Sequence, residues 1–521
     1  MSAAPQVIGV VGAGTMGSGI AQLAAQSGAR TVVYDPVEGA AAAAVERARA
    51  GIVKLVDKGR LPGDAAELGA RLEVASGLEA LSLCELVIEA APERLELKHE
   101  LFAALSEVAP RAVLASNTSS IPITAIARGA ADPSKVVGLH FFNPAPLMQL
   151  VEVIAGLQSS EASLGVARAA GEAMGRRVID ATDGPGFLVN RCNRPFGLEA
   201  LRLVQERIAG VEAIDAIVRA AGFRMGPFEL QDLVGIDVGF EVSQSFYELS
   251  FGEPRWRPSP LSAQKVAAGQ LGRKTGQGWY AYADGTPHRA SDPEAPEPGV
   301  PDGVDGPVVI SGFLPVADEL RALADEAGFD VRDEADGAVP WLIVECGPPD
   351  DDAPPLQGAP RLILCAEGAL QALDQGGAAA GFHALPPIGL VELTRTPATA
   401  GVAATRAEAF FGGLGLPTAW VADAPGLVLG RIVAQVVNEC AFAVGEGVGT
   451  AADVDAGMKL GLNYPTGPLA WADEIGLDHI VMILDGLREE YSEERYRTAP
   501  LLRRITEFHE HEHFEHDHGE P

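Results

Sequence analysis

Over the first third of the chain, short apolar runs alternate with segments of helical periodicity. The runs at 7–11, 31–34, 86–90, 112–115 and 136–139 read as strands, with helices between them. That alternation predicts a parallel, doubly wound α/β sheet. From about Phe187 to Tyr282 the pattern turns mostly helical, and residues 284–306 are rich in Pro, Gly and acid, as a linker is. Val308-Val309-Ile310 then opens a shorter α/β stretch over about 307–423, with an acidic, Pro-rich loop at 348–358. A second helical pattern follows over about 424–500.

The first strand runs straight into Gly12-Ala13-Gly14-Thr15-Met16-Gly17 and then a helical segment. In this Gly-x-Gly-x-x-Gly arrangement each glycine has its own task. Gly12 makes the tight turn, Gly14 lets the backbone approach a pyrophosphate, and Gly17 lets helix and strand pack closely. The free N–H groups of the helix start favour phosphate. The second strand ends in Asp35, placed to accept from a ribose 2′-hydroxyl. The carboxylate would repel a 2′-phosphate and no Arg follows it, so NAD is expected rather than NADP.

The chain also repeats itself. Gly138-Leu139-His140 and Leu150-Val151-Glu152-Val153 return as Gly381-Phe382-His383 and Leu390-Val391-Glu392-Leu393. Gly184-Pro185-Gly186 through Arg191 returns as Ala424-Pro425-Gly426 through Arg431, and Gly226-Pro227-Phe228 through Asp237 as Gly467-Pro468-Leu469 through Asp478. Order and separation are kept, as in a duplication. The second copy is not equivalent: Ser311-Gly312-Phe313-Leu314-Pro315 replaces the glycine fingerprint, so no nucleotide is expected there. His383 and Glu392 stand three residues closer together than His140 and Glu152, Gly430 replaces Asn190, and Leu364-Cys365-Ala366-Glu367-Gly368 stands for Ser116-Asn117-Thr118-Ser119-Ser120. One active site per chain is expected.

Composition narrows the setting. The 521 residues exceed a single core and suggest several domains. No apolar run has transmembrane length, and no basic segment precedes an apolar one at the start. Five scattered cysteines (Cys84, Cys192, Cys346, Cys365 and Cys440) fit reduced thiols in a cytoplasm and no metal site. A net charge of −32 disfavours nucleic acid and anionic membrane as partners, and any anionic substrate needs a local basic pocket. The His/Glu-rich segment His509–His518 reads as a solvated tail, with adventitious transition-metal binding as the lesser alternative.

Four segments could carry chemistry. Ser116–Ser120 follows a strand and faces the ligand crevice of such a sheet; Ser119 or Ser120 could equally cap a helix. His140 stands at another strand end. Glu152 lies within an apolar run, where a lone buried carboxylate is costly, so His140 is its natural partner. A carboxylate that orients an imidazole and raises its basicity makes a general base; taken singly, each residue has a structural reading. Asn190 offers donor and acceptor together at the entry to the helical segment, or it is a buried amide satisfied by backbone.

These blocks, with Glu89-Ala90-Ala91-Pro92-Glu93, Met225–Leu230 and Lys274–Tyr280, closely resemble the L-3-hydroxyacyl-CoA dehydrogenase family over residues 7 to about 282. The architecture is similar to its bacterial form with two C-terminal helical domains. The resemblance implies a Rossmann-type NAD-binding domain (1–184) and a helical C-terminal domain (185–283). After the linker come a degenerate Rossmann-like segment (307–423), a second helical domain (424–500) and the tail (501–521). It implies that (S)-3-hydroxyacyl-CoA is oxidised to 3-oxoacyl-CoA, in the degradation of fatty or aromatic acids as CoA thioesters. His140 would be the base, Glu152 its orienting partner, Ser119 a hydrogen-bond partner of the substrate oxygen, and Asn190 a holder of the reacting part. Glu93, Lys98, Asn143 and Lys274 match cofactor contacts, and Lys58 a lysine that meets coenzyme A phosphates. The second helical domain is expected to pack against the first, imitating a dimer within one chain; a homodimer of such chains is left open.

Two other readings stand beside this one. A β-hydroxyacid dehydrogenase acting on a small free acid also opens with such a fingerprint but uses a helix-borne lysine, and a non-catalytic NAD-binding protein needs no intact constellation. Acyl-chain preference is not readable from these residues. A dicarboxylic substrate would need a further cation, for which Arg191 and Arg194 are available.

Overall fold

In the computed structural model, which describes residues 3–283, 286–347 and 359–506, the five apolar runs are strands of one eight-stranded sheet. The strands are β1 (Val7–Val11), β2 (Arg30–Tyr34), β3 (Leu72–Val74), β4 (Leu86–Glu89), β5 (Val113–Ser116), β6 (Val136–Phe141), β7 (Leu150–Ala155) and β8 (Arg177–Thr182). Their order is β3-β2-β1-β4-β5-β6-β7-β8. Only β6 and β7 pair antiparallel. Strand order reverses at β1 and β4, where doubly wound sheets open a ligand crevice at their carboxyl ends. β3, β7 and β8 are additional to the five strands expected. The 348–358 loop and the His-rich tail lie outside the described residues.

The described part of the linker begins with a two-strand hairpin, β9 (Tyr282–Ala283) and β10 (Thr286–Pro287). A second sheet follows. It comprises β11 (Val308–Ser311), β12 (Val331–Arg332), β13 (Leu342–Glu345), β14 (Arg361–Leu364), β15 (Ala380–His383), β16 (Val391–Thr394) and β17 (Thr418–Trp420), in the order β12-β11-β13-β14-β15-β16-β17. It is the first sheet without a counterpart of β3, and its β15–β16 pair is again the antiparallel one. The degenerate half has kept the frame. It has also kept the register: His383 faces Glu392 across the hairpin as His140 faces Glu152, because the shorter spacing is absorbed in the turn.

The fold forms two compact units that do not follow the order of the chain. The first joins the N-terminal sheet, through Arg191, to residues 446–462 of the second copy. There the helix Ala451–Leu462 lies on β7 and β8. Glycines make the approach feasible: a Cβ on Gly449 would lie 2.5 Å from Leu188, and one on Gly457 2.6 Å from Val189. The Thr182 N–H donates to the Val448 carbonyl at 2.9 Å. The second unit repeats these contacts with the copies exchanged. The Ala422 N–H donates to the Ile208 carbonyl at 2.8 Å, and a Cβ on Gly389 would meet the Ala220 carbonyl at 2.1 Å. The ion pairs are exchanged as well, Arg191–Glu446 at 2.8 Å and Arg431–Glu206 at 2.6 Å.

In the second unit the helices Arg194–Gln205 and Leu429–Gly445 pack along each other. Arg431, fully buried, holds Glu199 at 2.8 Å, Glu206 and the Tyr496 hydroxyl. Glu199 is equally buried, and Arg202 also pairs with it. Removing one partner of such a cluster leaves an uncompensated buried charge, at a cost of about 3–5 kcal/mol. Arg431→Leu is therefore expected to lower stability by that amount, read as a shift of the urea midpoint. A shift worth under about 1 kcal/mol would show that Glu199 needs no counter-charge.

Candidate active site

The fingerprint glycines occupy the geometry their separate tasks require. Gly12 has φ +103°, and a Cβ there would meet the Ala90 carbonyl oxygen at 2.5 Å. A Cβ on Gly17 would overlap the Gly12 carbonyl oxygen at 1.8 Å. Gly14, by contrast, has nothing within 4 Å of such a Cβ. Chain packing thus dictates Gly12 and Gly17, whereas Gly14 keeps backbone bare towards open space at the start of the helix Thr15–Gln26. Thr15 and Met16 form the first turn of that helix. Asp35 accepts from the Ala13 N–H at 2.7 Å and the Val37 N–H at 2.9 Å, so its carboxylate is anchored beside the loop. This cradle fits a dinucleotide: a helix N-terminus without a side-chain cap, a bare glycine and a fixed acid.

The second copy supplies an internal comparison. Gly312, at the position of Gly12, keeps φ +112° and the same close approach, 2.4 Å from the Cys346 carbonyl oxygen. The positions of Gly14 and Gly17 are taken by Leu314 and Ala317, both buried. The glycine needed for the turn survives there, and the one left bare for phosphate does not.

His140 and Glu152 form a closed unit. His140 Nδ1 lies 2.6 Å from Glu152 Oε2, and Glu152, fully buried, accepts through Oε1 from the N–H groups of Leu188 at 3.2 Å and Val189 at 3.0 Å. One carboxylate thus fixes the imidazole and the start of the turn Val189–Cys192 that carries Asn190. The imidazole packs against Phe142 and Phe187, with ring centroids at 4.7 and 5.9 Å.

The Ser116–Ser120 loop is held from below. The Ser116 hydroxyl donates to Glu89 at 2.6 Å, and Lys98 Nζ lies 2.7 and 2.9 Å from the two oxygens of Glu89 and 3.2 Å from Glu93. Glu93 in turn accepts from the Thr118 hydroxyl at 2.5 Å and from the N–H groups of Ser119 at 3.0 Å and Ser120 at 3.1 Å. Burial alone would raise the Glu93 carboxyl. The Lys98 ammonium and these hydrogen bonds outweigh it and hold the group below its usual range. Asn117 Oδ1 accepts from the Phe141 N–H at 2.8 Å, tying the loop to the residue after His140. Ser119 remains exposed at the tip. Lys98 is only 1% exposed, so its ammonium is shared by two carboxylates of the protein itself.

The remaining candidates are dispersed. Asn143 is exposed just beyond β6, and Lys58 is exposed at the end of the helix Ala40–Asp57. Lys274 belongs to the second unit, where it pairs with Asp237 at 2.6 Å. Sequence reasoning assigned no role to Glu89 or Asn117, and it missed Asp183, whose carboxylate caps the helix Ile123–Ala127 through the N–H groups of Ile123 and Thr124. Glu89 carried the same signal as Glu152, an acid at the end of an apolar run.

The matching site of the second copy is collapsed. Glu392 accepts from the Val428 and Leu429 N–H groups at 2.7 and 2.9 Å, as Glu152 does from Leu188 and Val189, but His383 has turned away. Its Nε2 lies 3.2 Å from His479 Nε2, and its Nδ1 has no hydrogen-bond partner among the described residues. The ring fills the space above Gly430, where a Cβ would lie 2.2 Å from it. Burial pushes Glu392 up to about 8 and holds His383 well below its ordinary value, so both are neutral near pH 7.

Comparison with known proteins agrees with this geometry. Residues 7–184 match the family model of the 3-hydroxyacyl-CoA dehydrogenase NAD-binding domain, and residues 186–282 and 426–517 each match the model of its C-terminal domain. The chain belongs to the 3-hydroxyacyl-CoA dehydrogenase family. It is 35% identical to a 3-hydroxyadipyl-CoA dehydrogenase of Escherichia coli K12, over 96% of this chain and 97% of that one. A 3-hydroxybutyryl-CoA dehydrogenase of Mycobacterium tuberculosis is 42% identical over 54% of this chain and the whole of its own length. A crystal structure of an E. coli K12 3-hydroxybutyryl-CoA dehydrogenase superposes with a TM-score of 0.81 at 34% identity, covering 96% of this chain and 98% of that one. The cofactor is NAD and the activity that of a 3-hydroxyacyl-CoA dehydrogenase. No helix among the described residues is long and apolar enough to cross a membrane.

The Glu93 contacts imply an acid-sensitive loop. Its folded pKa lies below the unfolded one, so its contribution to stability is present above the unfolded value, near 4.5, and is lost as pH falls through the folded value. Between pH 5 and pH 3 the wild type is expected to lose Tm more steeply than Glu93→Gln. Parallel slopes would show that the carboxylate is not held in its ionised form.

Proposed function

We propose that the chain oxidises (S)-3-hydroxyacyl-CoA at a single site, with His140 as general base. The observation that carries this reading is the His140–Glu152 pair at 2.6 Å, with the second oxygen of Glu152 already committed to backbone. An Nδ1–H donated to Glu152 leaves the Nε2 lone pair to take the proton of the 3-hydroxyl. The imidazolium then formed lies against a carboxylate that cannot turn away. NAD⁺, when bound, accepts the hydride that leaves C3. The Ser119 hydroxyl hydrogen-bonds the substrate oxygen, and Asn190 holds the reacting part of the acyl group. In the reverse direction the same His140 returns the proton to the carbonyl oxygen.

Glu93 and Lys98 act here through the loop that presents Ser119, and Glu93 borders the nicotinamide ribose. Asn143 and Lys274 are the further cofactor contacts, and Lys58 a contact for coenzyme A phosphate. The second copy works as scaffold: it has no bare glycine for phosphate, and its histidine is turned onto another histidine. The exchanged contacts, Thr182 with Val448 and Ala422 with Ile208, support an intrachain pseudo-dimer of the two copies. The reduced cysteines and the absence of a long apolar helix support a cytoplasmic enzyme.

His140→Ala is expected to lower kcat by about 10²–10⁴ with acetoacetyl-CoA and NADH, followed at the NADH absorbance. His383→Leu is expected to leave kcat unchanged, with one NAD bound per chain. Unchanged turnover in His140→Ala would refute the assignment of the base. A matching loss in His383→Leu would refute the single site.

A further inference from the structure

The helical segment that follows Asn190 encloses a cavity of about 150 Å³, lined among others by Arg194, Gly197, Gln231, Gly239 and Ser243. The duplication shows which parts of this segment the fold itself requires. In the second copy Gly197, Gly239 and Ser243 become Val437, Ile480 and Leu484, while Arg194 and Gln231 become Ala434 and Ala472. All five replacements are buried. The helical fold therefore closes well with this region filled by apolar side chains. The copy with the intact His–Glu pair keeps it hollow and polar instead.

The polar groups on the wall are oriented. Gln231 accepts from the Trp279 indole N–H at 3.1 Å through Oε1. That bond fixes the amide, so Nε2 is the group turned towards the cavity, 3.7 Å from where a Cβ of Gly197 would stand. Nε2 is buried and has no hydrogen-bond partner among the described residues. Arg194 brings a buried guanidinium to the same wall, 4.9 Å above the Phe246 ring. Burial pulls it down to about 10, which still leaves it charged at neutral pH. Of the two cations open to a dicarboxylic substrate, Arg191 is held by Glu446 at 2.8 Å, which leaves Arg194 as the one on a cavity wall.

We propose that this cavity takes the far end of the acyl chain and selects a chain that ends in a carboxylate, held by the Arg194 guanidinium and the Gln231 amino group. The inference rests on the active-site reading above. Arg194 follows Asn190 by four residues, so the covalent chain keeps their backbones within about 15 Å. A six-carbon diacid thioester extends about five non-hydrogen atoms beyond its hydroxyl carbon. A space with room for about five waters accommodates them. A planar guanidinium and an amide N–H together match the two oxygens of one carboxylate.

The test compares 3-hydroxyadipyl-CoA with 3-hydroxyhexanoyl-CoA, which differ only at the chain end. Wild type is expected to favour the diacid ester by about tenfold or more in kcat/KM, and Gln231→Leu to lower the diacid value about tenfold more than the hexanoyl value. Gly239→Ile restores the residue of the filled copy at a position where a Cβ meets nothing within 4 Å. It is expected to cost both six-carbon esters about tenfold more than 3-hydroxybutyryl-CoA. A wild-type preference at or below one, or a ratio unchanged by Gln231→Leu, would overturn the carboxylate pocket. Equal losses on all chain lengths in Gly239→Ile would overturn the cavity as the acyl site. If no ester is oxidised, the active-site reading itself falls; if all are oxidised alike, only this inference does.

Discussion

Everything in the site depends on one buried carboxylate having no freedom left. Glu152 sits in the middle of a strand with no exposure, where an unsatisfied charge would cost several kcal/mol. One oxygen faces His140 and the other receives the N–H groups of Leu188 and Val189. The β6–β7 register sets the first contact, and the entry of the chain into the helical segment sets the second. The imidazole is thus oriented by the same group that starts the turn bearing Asn190. A displacement of that turn would release one end of the carboxylate and with it the ring.

The second copy shows what happens when this double commitment is broken. Glu392 retains its bonds to backbone and its place opposite His383. Replacing an asparagine by Gly430 opens space beside the imidazole, and the ring rotates into it towards His479. With no charged partner left, burial favours the neutral forms of both groups. Sheet, register and turn all survive; only the electrostatic coupling is lost. Fold and catalytic competence therefore separate at the level of a few side chains, as the fate of the glycines also shows.

The sequence made the strand order, the fingerprint and the His–Glu pair legible because each is a local pattern with a strong physical cause. It could not show contacts whose partners are distant in the chain. Glu89, Lys98 and Ser116 lie in three different segments, so the support beneath the Ser119 loop is invisible until the sheet brings them together. The exchange of helices between the copies escaped for the same reason, although the glycines that permit it, Gly449 and Gly457, are plain in the sequence. β3 and β8 were missed because they are short or half exposed and lack a continuous apolar run. Lys98 illustrates the opposite difficulty: a family match suggests a cofactor contact, and only the structure reveals two protein carboxylates around its ammonium.

A duplicated chain offers a comparison that a single-copy enzyme does not. Both copies share a covalent chain, a solvent and a folding history, so differences between matching positions isolate what function adds to the requirements of the fold. By that criterion Gly12 belongs to the fold, since Gly312 repeats it, and Gly14 belongs to the ligand, since Leu314 does not. Applied to the helical segments, the same comparison sets Pro227 and Gly235, repeated as Pro468 and Gly476, apart from Arg194, Gln231 and Gly239. A hollow that retains an unpaired amide donor is less stable than the apolar packing which the same fold accepts in its second copy. Its persistence beside the working histidine is therefore a cost the fold does not impose, and binding is the function that would offset it.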